Sequence, residues 1–422
     1  MLWWGWLVTT NAVITLAADT ANLRIKEGRY VRLYSDIEDA DDILQTYVDS
    51  FDRAMPQWLA HWNQNTDPLD GWRVDAYLMR DHTEFERRGL IPATLPPFQN
   101  GYSQGNRIWV NEQPSEYYTL HLLLHEGCHS LASQLFGGAG PPWYMEGTAE
   151  YLATHRGQGD AIRVAIIPAS REASPYWGRI GLISDRRAEA KMPSIETVMR
   201  YGDTAHRDVE PYAWSWASAV LMEMYPEYRS AYREAATLGH DATPQFTRQL
   251  YAKLKPMWPG LSARWALLCN DMDYGFDQTA SAVSLPTASQ PITQPVAMDI
   301  AANRGWHAVP GTVRHGQRFK ISCTGRFQLQ DDDAWVSGPN GVTITYYRGR
   351  PLGQVIACVV GTTAQTQPTL PLLTSFEIGE RGEITCPQDG WLLLKINDAP
   401  GDLANNAGTI HVKVQPLETS TR

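Results

Sequence analysis

Residues Tyr118–Gly137 read YTLHLLLHEGCHSLASQLFG. The pattern from Glu116 to Leu135 is helical, and Leu122, Leu123, Leu124 and Leu131 can anchor that helix in a core. Gly137-Gly138-Ala139-Gly140-Pro141-Pro142 then ends it, through glycine's permissive backbone and proline's missing N–H. Inside the helix His125, Glu126 and His129 spell H-E-x-x-H. Residues four apart lie one above the other, about 6 Å along the axis, so two imidazoles there can reach one ion. Glu126 is left beside that ion rather than on it. His121 cannot share an ion with His129, because the rise between them is about 12 Å; it is assigned to packing or capping.

Beyond the turn, Trp143–His155 starts a second helix, and PPWYMEGTAEYLA carries Glu146 and Glu150 one turn apart on the same side. This helix is placed to fold back antiparallel on the first. Zinc held by two His and one carboxylate keeps an open position for water, whose pKa it lowers. A neighbouring carboxylate can take that water's proton and pass it to a leaving amine, which is the chemistry of H-E-x-x-H in metallopeptidases. The other acidic residue can accept the free ring N–H of a liganding His and set its tautomer.

HEGCH followed by WYMEGTAEYLA resembles the gluzincin metallopeptidases, and most closely the secreted bacterial peptidase-MA-like proteins. The resemblance spans roughly residues 22–225. It implies a thermolysin-like α+β catalytic domain with a mixed sheet and helices. It also implies zinc ligands His125, His129 and Glu146, with Glu126 as general base and Glu150 behind the ligands. Cys128 stands where Thr or Ala is common; it points off the ligand stripe and reads as an inert packing thiol. The family also places a Tyr or His at the oxyanion, for which Tyr212, at the start of an apolar helix, is the first candidate and His206 the second. A peptide substrate would add to an edge strand, either Ile108–Val110 or the Gly101-Tyr102 turn.

Upstream, NLRIKEGRYVRLYS alternates around a glycine like a β-hairpin, and Asp36 opens a helical pattern to Trp62. Trp72–Met79 reads as a strand, Asp81–Gly89 as a short helix, and Gly101–Asn111 as a hairpin. Downstream, residues 160–280 are mostly helical by pattern, with breaks near Pro168, Pro175, Pro193 and Pro211. Residues 281–297, rich in Ser, Thr, Gln and Pro, read as an interdomain linker. Short segments separated by Gly, Asn and Asp follow, as in an all-β sandwich over 298–422. The catalytic domain is thus expected over 19–280.

The β region resembles the galactose-binding lectins of the PA-I type, most specifically in DAPGDLANNAG at Asp398–Gly408. That resemblance implies calcium on Asp398, Asp402, Asn405 and Asn406, in keeping with clustered oxygen ligands in a loop. Asp402 replaces the usual Thr, the usual aromatic donor of a backbone carbonyl is replaced near Leu329, and Arg348–Leu352 lacks the family's sugar-contacting His. Asp331-Asp332-Asp333 reads as solvated surface.

The chain has 422 residues, 43% of them hydrophobic and 19% charged, with a net charge of −10. No Lys/Arg cluster occurs, which argues against nucleic acid and anionic membrane surfaces as partners. Residues 1–18 are uncharged and end in Ala17-Ala18, as in a secretory signal peptide, so a secreted, periplasmic or cell-surface protein without an integral membrane span is expected. Five cysteines give no disulfide framework, although two of Cys323, Cys358 and Cys386 could pair. The reading reached is a secreted zinc metallopeptidase acting on a peptide or protein, with glycan contact through the C-terminal domain. Its rivals are a non-catalytic surface- or carbohydrate-binding protein and a zinc hydrolase of another amide or ester.

Overall fold

The computed structural model of the chain describes residues 20, 22–38, 40–202, 208–287, 290–330, 335–361 and 367–417. The readings of the 1–18 leader, His206 and Asp331–Asp333 lie outside them.

Local sequence accounts for the central helix. Ser115 accepts from the Tyr118 N–H at 3.1 Å, capping a helix whose far end is closed by Gly137 at φ 75°. Between them the run from Thr119 to Ala132 is buried throughout, so this helix is a core element packed on several sides. Gly127, inside H-E-x-x-H, permits one of those contacts: a Cβ there would stand 2.3 Å from the Phe51 ring.

The fold is α+β, a mixed sheet with helices followed by a β-rich region. In the first part the strands are β1 (Arg24–Glu27), β2 (Val31–Ser35), β3 (Val74–Met79), β4 (Gly101–Gln104), β5 (Arg107–Asn111), β6 (His155–Arg156) and β7 (Arg163–Val164). The helices are α1 (Asp41–His61), α2 (His82–Arg87), α3 (Glu116–Phe136), α4 (Pro142–Ala153), α5 (Arg179–Ala188), α6 (Ile195–Val198), α7 (Val209–Met224), α8 (Pro226–Glu234), α9 (Pro244–Leu254) and α10 (Trp258–Asp271). The main sheet has the order β1-β2-β3-β5-β4, antiparallel at both ends and parallel at β2-β3 and β3-β5. One face, with Val74, Ala76, Leu78, Ile108 and Val110, joins the core that holds α1 and α3; the other puts Tyr77, Met79 and Trp109 against Phe85 of α2.

Three expectations are corrected here. Ile108–Val110 lies in β5, an inner strand, and Gly101-Tyr102 opens the edge strand β4 rather than forming a turn. Asp36 does not begin α1; its carboxylate accepts the N–H groups of Arg80 and Asp81 at the end of β3. Pro211 breaks nothing, because it sits in the first turn of α7, where its missing N–H has no helical partner to lose.

The β-rich region contains β8 (Val296–Ala301), β9 (His307–Ala308), β10 (Arg318–Thr324), β11 (Phe327–Leu329), β12 (Trp335–Ser337), β13 (Asn340–Tyr347), β14 (Arg350–Gly361), β15 (Ser375–Glu377), β16 (Arg381–Thr385), β17 (Gly390–Ile396) and β18 (Ala407–Pro416). One sheet runs β12-β11-β18-β10-β16 with β8 on β18; the other runs β13-β14-β17-β9 with β15 on β14. Phe319, Ile321, Ile410 and Val412 from the first meet Val355, Ala357, Leu392 and Leu394 from the second in one core. The opposite face of β14 and β17, with Ile356, Cys358, Val360 and Leu393, joins the core of the helical part. Burial on both faces explains why VIACVV and WLLL do not alternate.

The contact between the two parts is built from specific bonds. Asp271, ending α10, accepts from Lys395 Nζ at 3.1 Å and from Trp306 Nε1 at 2.7 Å. The Ser194 N–H reaches Pro368 O and the Leu370 N–H reaches Met192 O, at 2.9 and 2.7 Å. The described part of 281–297 is no free spacer: Val283 is buried and bonded to Tyr225 and Arg264, and Ile292 is buried in the sandwich core. All five cysteines are buried free thiols, so no pair forms among Cys323, Cys358 and Cys386. Among the described residues no helix is long and apolar enough to cross a membrane.

Candidate metal centre

α3 and α4 deliver the cluster. His125 Nε2 lies 3.0 Å from His129 Nε2 and 3.0 Å from Glu146 Oε2, and His129 Nε2 lies 3.5 Å from the same oxygen. All three residues are buried. A tetrahedral ion with bonds of about 2.0–2.1 Å holds its donors about 3.3–3.4 Å apart. The donor set and spacing therefore fit a zinc-sized ion. The charge balance agrees: burial opposes protonation of His125, yet Glu146, Glu150 and Glu126 lift its pKa to about 9. The site attracts positive charge.

Glu126 points elsewhere, as the helical spacing predicts. Its carboxylate lies against β4, where a Cβ on Gly101 would stand 2.8 Å from Oε1, and Ser103 hydrogen-bonds to it. Burial raises its pKa, and His125 and His129 partly offset that. The base candidate thus stands between the cluster and the edge strand.

Glu150 lies behind His125. Its Oε1 is 3.5 Å from His125 Nδ1 and its Oε2 is 3.4 Å from His121 Nε2. It also accepts from Trp177 Nε1 at 3.0 Å, Arg179 Nε at 3.2 Å and Arg179 Nη2 at 2.9 Å. Burial alone would neutralise it, but Arg179 and His121 hold its pKa well below the usual carboxylate range. His121, His125 and Glu150 also stand close enough to hold an ion. Both oxygens of Glu150 already meet the guanidinium fork, however, so this group reads as a brace. His121 packs between the rings of Tyr117 and Tyr118, off the first cluster.

Tyr212, in the first turn of α7, has its ring 6.3 Å from that of His125 and 5.7 Å from the Arg179 guanidinium carbon. Burial, with Glu146, Glu126 and Glu150, raises its pKa and keeps the phenol protonated. Cys128 is buried with its thiol pKa pushed up. It lines a small apolar pocket with Trp62, His129, Phe136, Tyr144 and Met145.

Trp177 and Arg179 were not singled out from the sequence. They lie at a loop-to-helix junction with no periodic signal, and only the fold brings them to Glu150. In the β region Asp398 and Asn406 do meet: Asp398 Oδ2 accepts from Asn406 Nδ2 at 2.7 Å, and Oδ1 from the Ala399 N–H. Asn406 Oδ1 takes the Gln330 N–H at 3.3 Å, Asn405 is half-buried, and Asp402 is exposed.

No family model matches the chain, and no curated protein is similar to it. Among solved structures it is similar to the PllA-like lectin N-terminal domain of EclA at 15% identity, over 29% of this chain and 96% of that one, with a TM-score of 0.23. PliG of Aeromonas hydrophila, a periplasmic inhibitor of g-type lysozyme, is similar at 10% identity over 32% of this chain and 100% of that one, TM-score 0.19. IMPa of Pseudomonas aeruginosa, solved with an O-glycopeptide, is similar at 10% identity over 58% of this chain, TM-score 0.17, and only 24% of IMPa is covered. Likenesses this slight assign neither fold nor activity to the chain.

Proposed function

We propose that the chain is a zinc-dependent metallopeptidase of gluzincin type, exported from the cytoplasm. The observation that carries this reading is the convergence of His125 Nε2, His129 Nε2 and Glu146 Oε2, with Glu126 beside them. Zinc held by these three residues would supply a Lewis acid and lower the pKa of water. Glu126 accepts the proton of the attacking water and passes it to the leaving nitrogen. Tyr212, its phenol still protonated, donates to the carbonyl oxygen as negative charge grows there. An extended peptide adds along β4, the edge strand that flanks Glu126. Glu150 holds the ring of His125 from behind.

In the β region we propose calcium at the Asp398–Asn406 loop. Asp398 is a buried carboxylate whose bonded partners there are an amide and a backbone N–H, and a cation would balance its charge. Calcium titration of Asp398→Ala against the parent tests this; equal affinity removes it. A glycan partner for this region rests on the sequence resemblance alone.

The test of the enzymatic reading is hydrolysis of casein by the zinc-loaded parent and by Glu126→Gln. Loss in the variant, with zinc retained, supports it. Hydrolysis that survives the substitution sinks it. Cleavage of p-nitrophenyl acetate but not of casein would favour a non-peptide hydrolase, and no turnover of either would favour a binding scaffold.

A further inference from the structure

We infer that Arg179 is a positioning residue of the metal centre, acting through Glu150 to hold His125 in its ligating orientation. The inference rests on the zinc reading above.

Arg179 is the first residue of α5 and is buried. Its Nε and Nη2 grip the two oxygens of Glu150 at 3.2 and 2.9 Å, while Nη1 donates to Trp177 O at 3.0 Å. The two bonds of the fork fix the orientation of the Glu150 carboxylate. Glu150 Oε1, so held, stands 3.5 Å from His125 Nδ1, on the side of the ring opposite the Nε2 that faces His129 and Glu146. A guanidinium at the first position of a helix opposes the helix dipole, and burying it removes its hydration. Nothing in α5 itself rewards the residue there. Its bonds run to Glu150, to Tyr118 and to Trp177, which itself donates to Glu150. The Tyr212 ring lies against the same guanidinium, 5.7 Å from its carbon. Lysine would keep the charge but not the planar fork, so it would balance the Glu150 carboxylate without orienting it.

Zinc affinity of the whole chain, measured by competition with a chromophoric chelator, tests this on the parent, Arg179→Lys and Arg179→Met. Removing a partner that orients a metal-binding His typically costs 10–100-fold in metal affinity. A loss of that size is expected for Arg179→Met, with an intermediate loss for Arg179→Lys. ¹⁵N NMR of the zinc-loaded forms should show the His125 Nδ1–H signal shifted in both variants. Should Arg179→Met fail to fold, Arg179→Lys carries the test alone. The inference is overturned if Arg179→Lys binds zinc within twofold of the parent with an unshifted His125 signal. A parent that binds no zinc would overturn the zinc reading itself, which is a different result.

Discussion

His125 and His129 turn their Nε2 atoms toward each other at 3.0 Å inside a buried site, with Glu146 Oε2 within 3.5 Å of both. Two imidazole nitrogens at that distance can share at most one proton, and a divalent ion satisfies both. Zinc should therefore bind the folded chain and not the unfolded one. At a free concentration 100-fold above Kd it would add about 2.7 kcal/mol. Calorimetry in zinc and in excess chelator should show the melting temperature rising by several degrees with zinc, and Glu146→Ala should lose most of that rise. Identical melting in both buffers would contradict the cluster's reading as a metal site.

Gly101 tests the placement of the base. A Cβ at this position would stand 2.8 Å from Glu126 Oε1, and the flexible carboxylate would yield before the strand does. Displacing a catalytic group by about 1 Å can cost on the order of 100-fold in rate. Gly101→Ala should keep its zinc affinity and its melting temperature, and lose at least about tenfold in kcat on casein. An unchanged kcat would mean that Glu126 does not act from where it lies.

His155 sets an acid limit to stability. It is buried, its Nδ1 bonds Ala153 O at 2.9 Å, and Tyr117 stacks on its ring at 4.4 Å. Burial lowers its pKa from 6.5 to about 4. As pH falls below 6.5 the unfolded chain binds a proton that the folded chain refuses until about pH 4, so stability is lost across that window. At 1.36 kcal/mol per unit the loss approaches about 3 kcal/mol. His155→Phe should flatten the fall in melting temperature between pH 7 and 4.5. A parallel curve for the variant would refute this.

The Asp271–Lys395 pair joins the helical part to the sandwich. Removing one member of a buried pair and stranding the other's charge costs about 3–5 kcal/mol; here Arg348 Nη1, 3.6 Å from Asp271, stays as a second cation and reduces that cost. Lys395→Met should lower the melting temperature accordingly. Adding Asp271→Asn should recover much of the loss, because Asn still offers an acceptor to Trp306 Nε1. If the double variant melts below the single one, the pair is not what limits this contact.

What could be read from the sequence was local. H-E-x-x-H and the Glu146/Glu150 step needed only helical spacing and one turn. Arg179 and Trp177 reach Glu150 from a loop-to-helix junction that shows no period, so no local rule could place them. The Ile108–Val110 run gave no edge or interior signal, because an apolar run fits either, and β5 proved to be covered on both sides. The strands β14 and β17 were visible, yet their second buried face depends on α10, far off in sequence. The 281–297 stretch misled by composition: among its described residues Val283 and Ile292 are buried and anchor it.

The most direct measurement is the zinc content of the purified chain, by elemental analysis, for the parent, Glu126→Gln, His129→Ala and Glu146→Ala. The account predicts about one zinc per chain in the parent and in Glu126→Gln, and little in the other two. A parent without zinc, or zinc retained in full by both His129→Ala and Glu146→Ala, would contradict it.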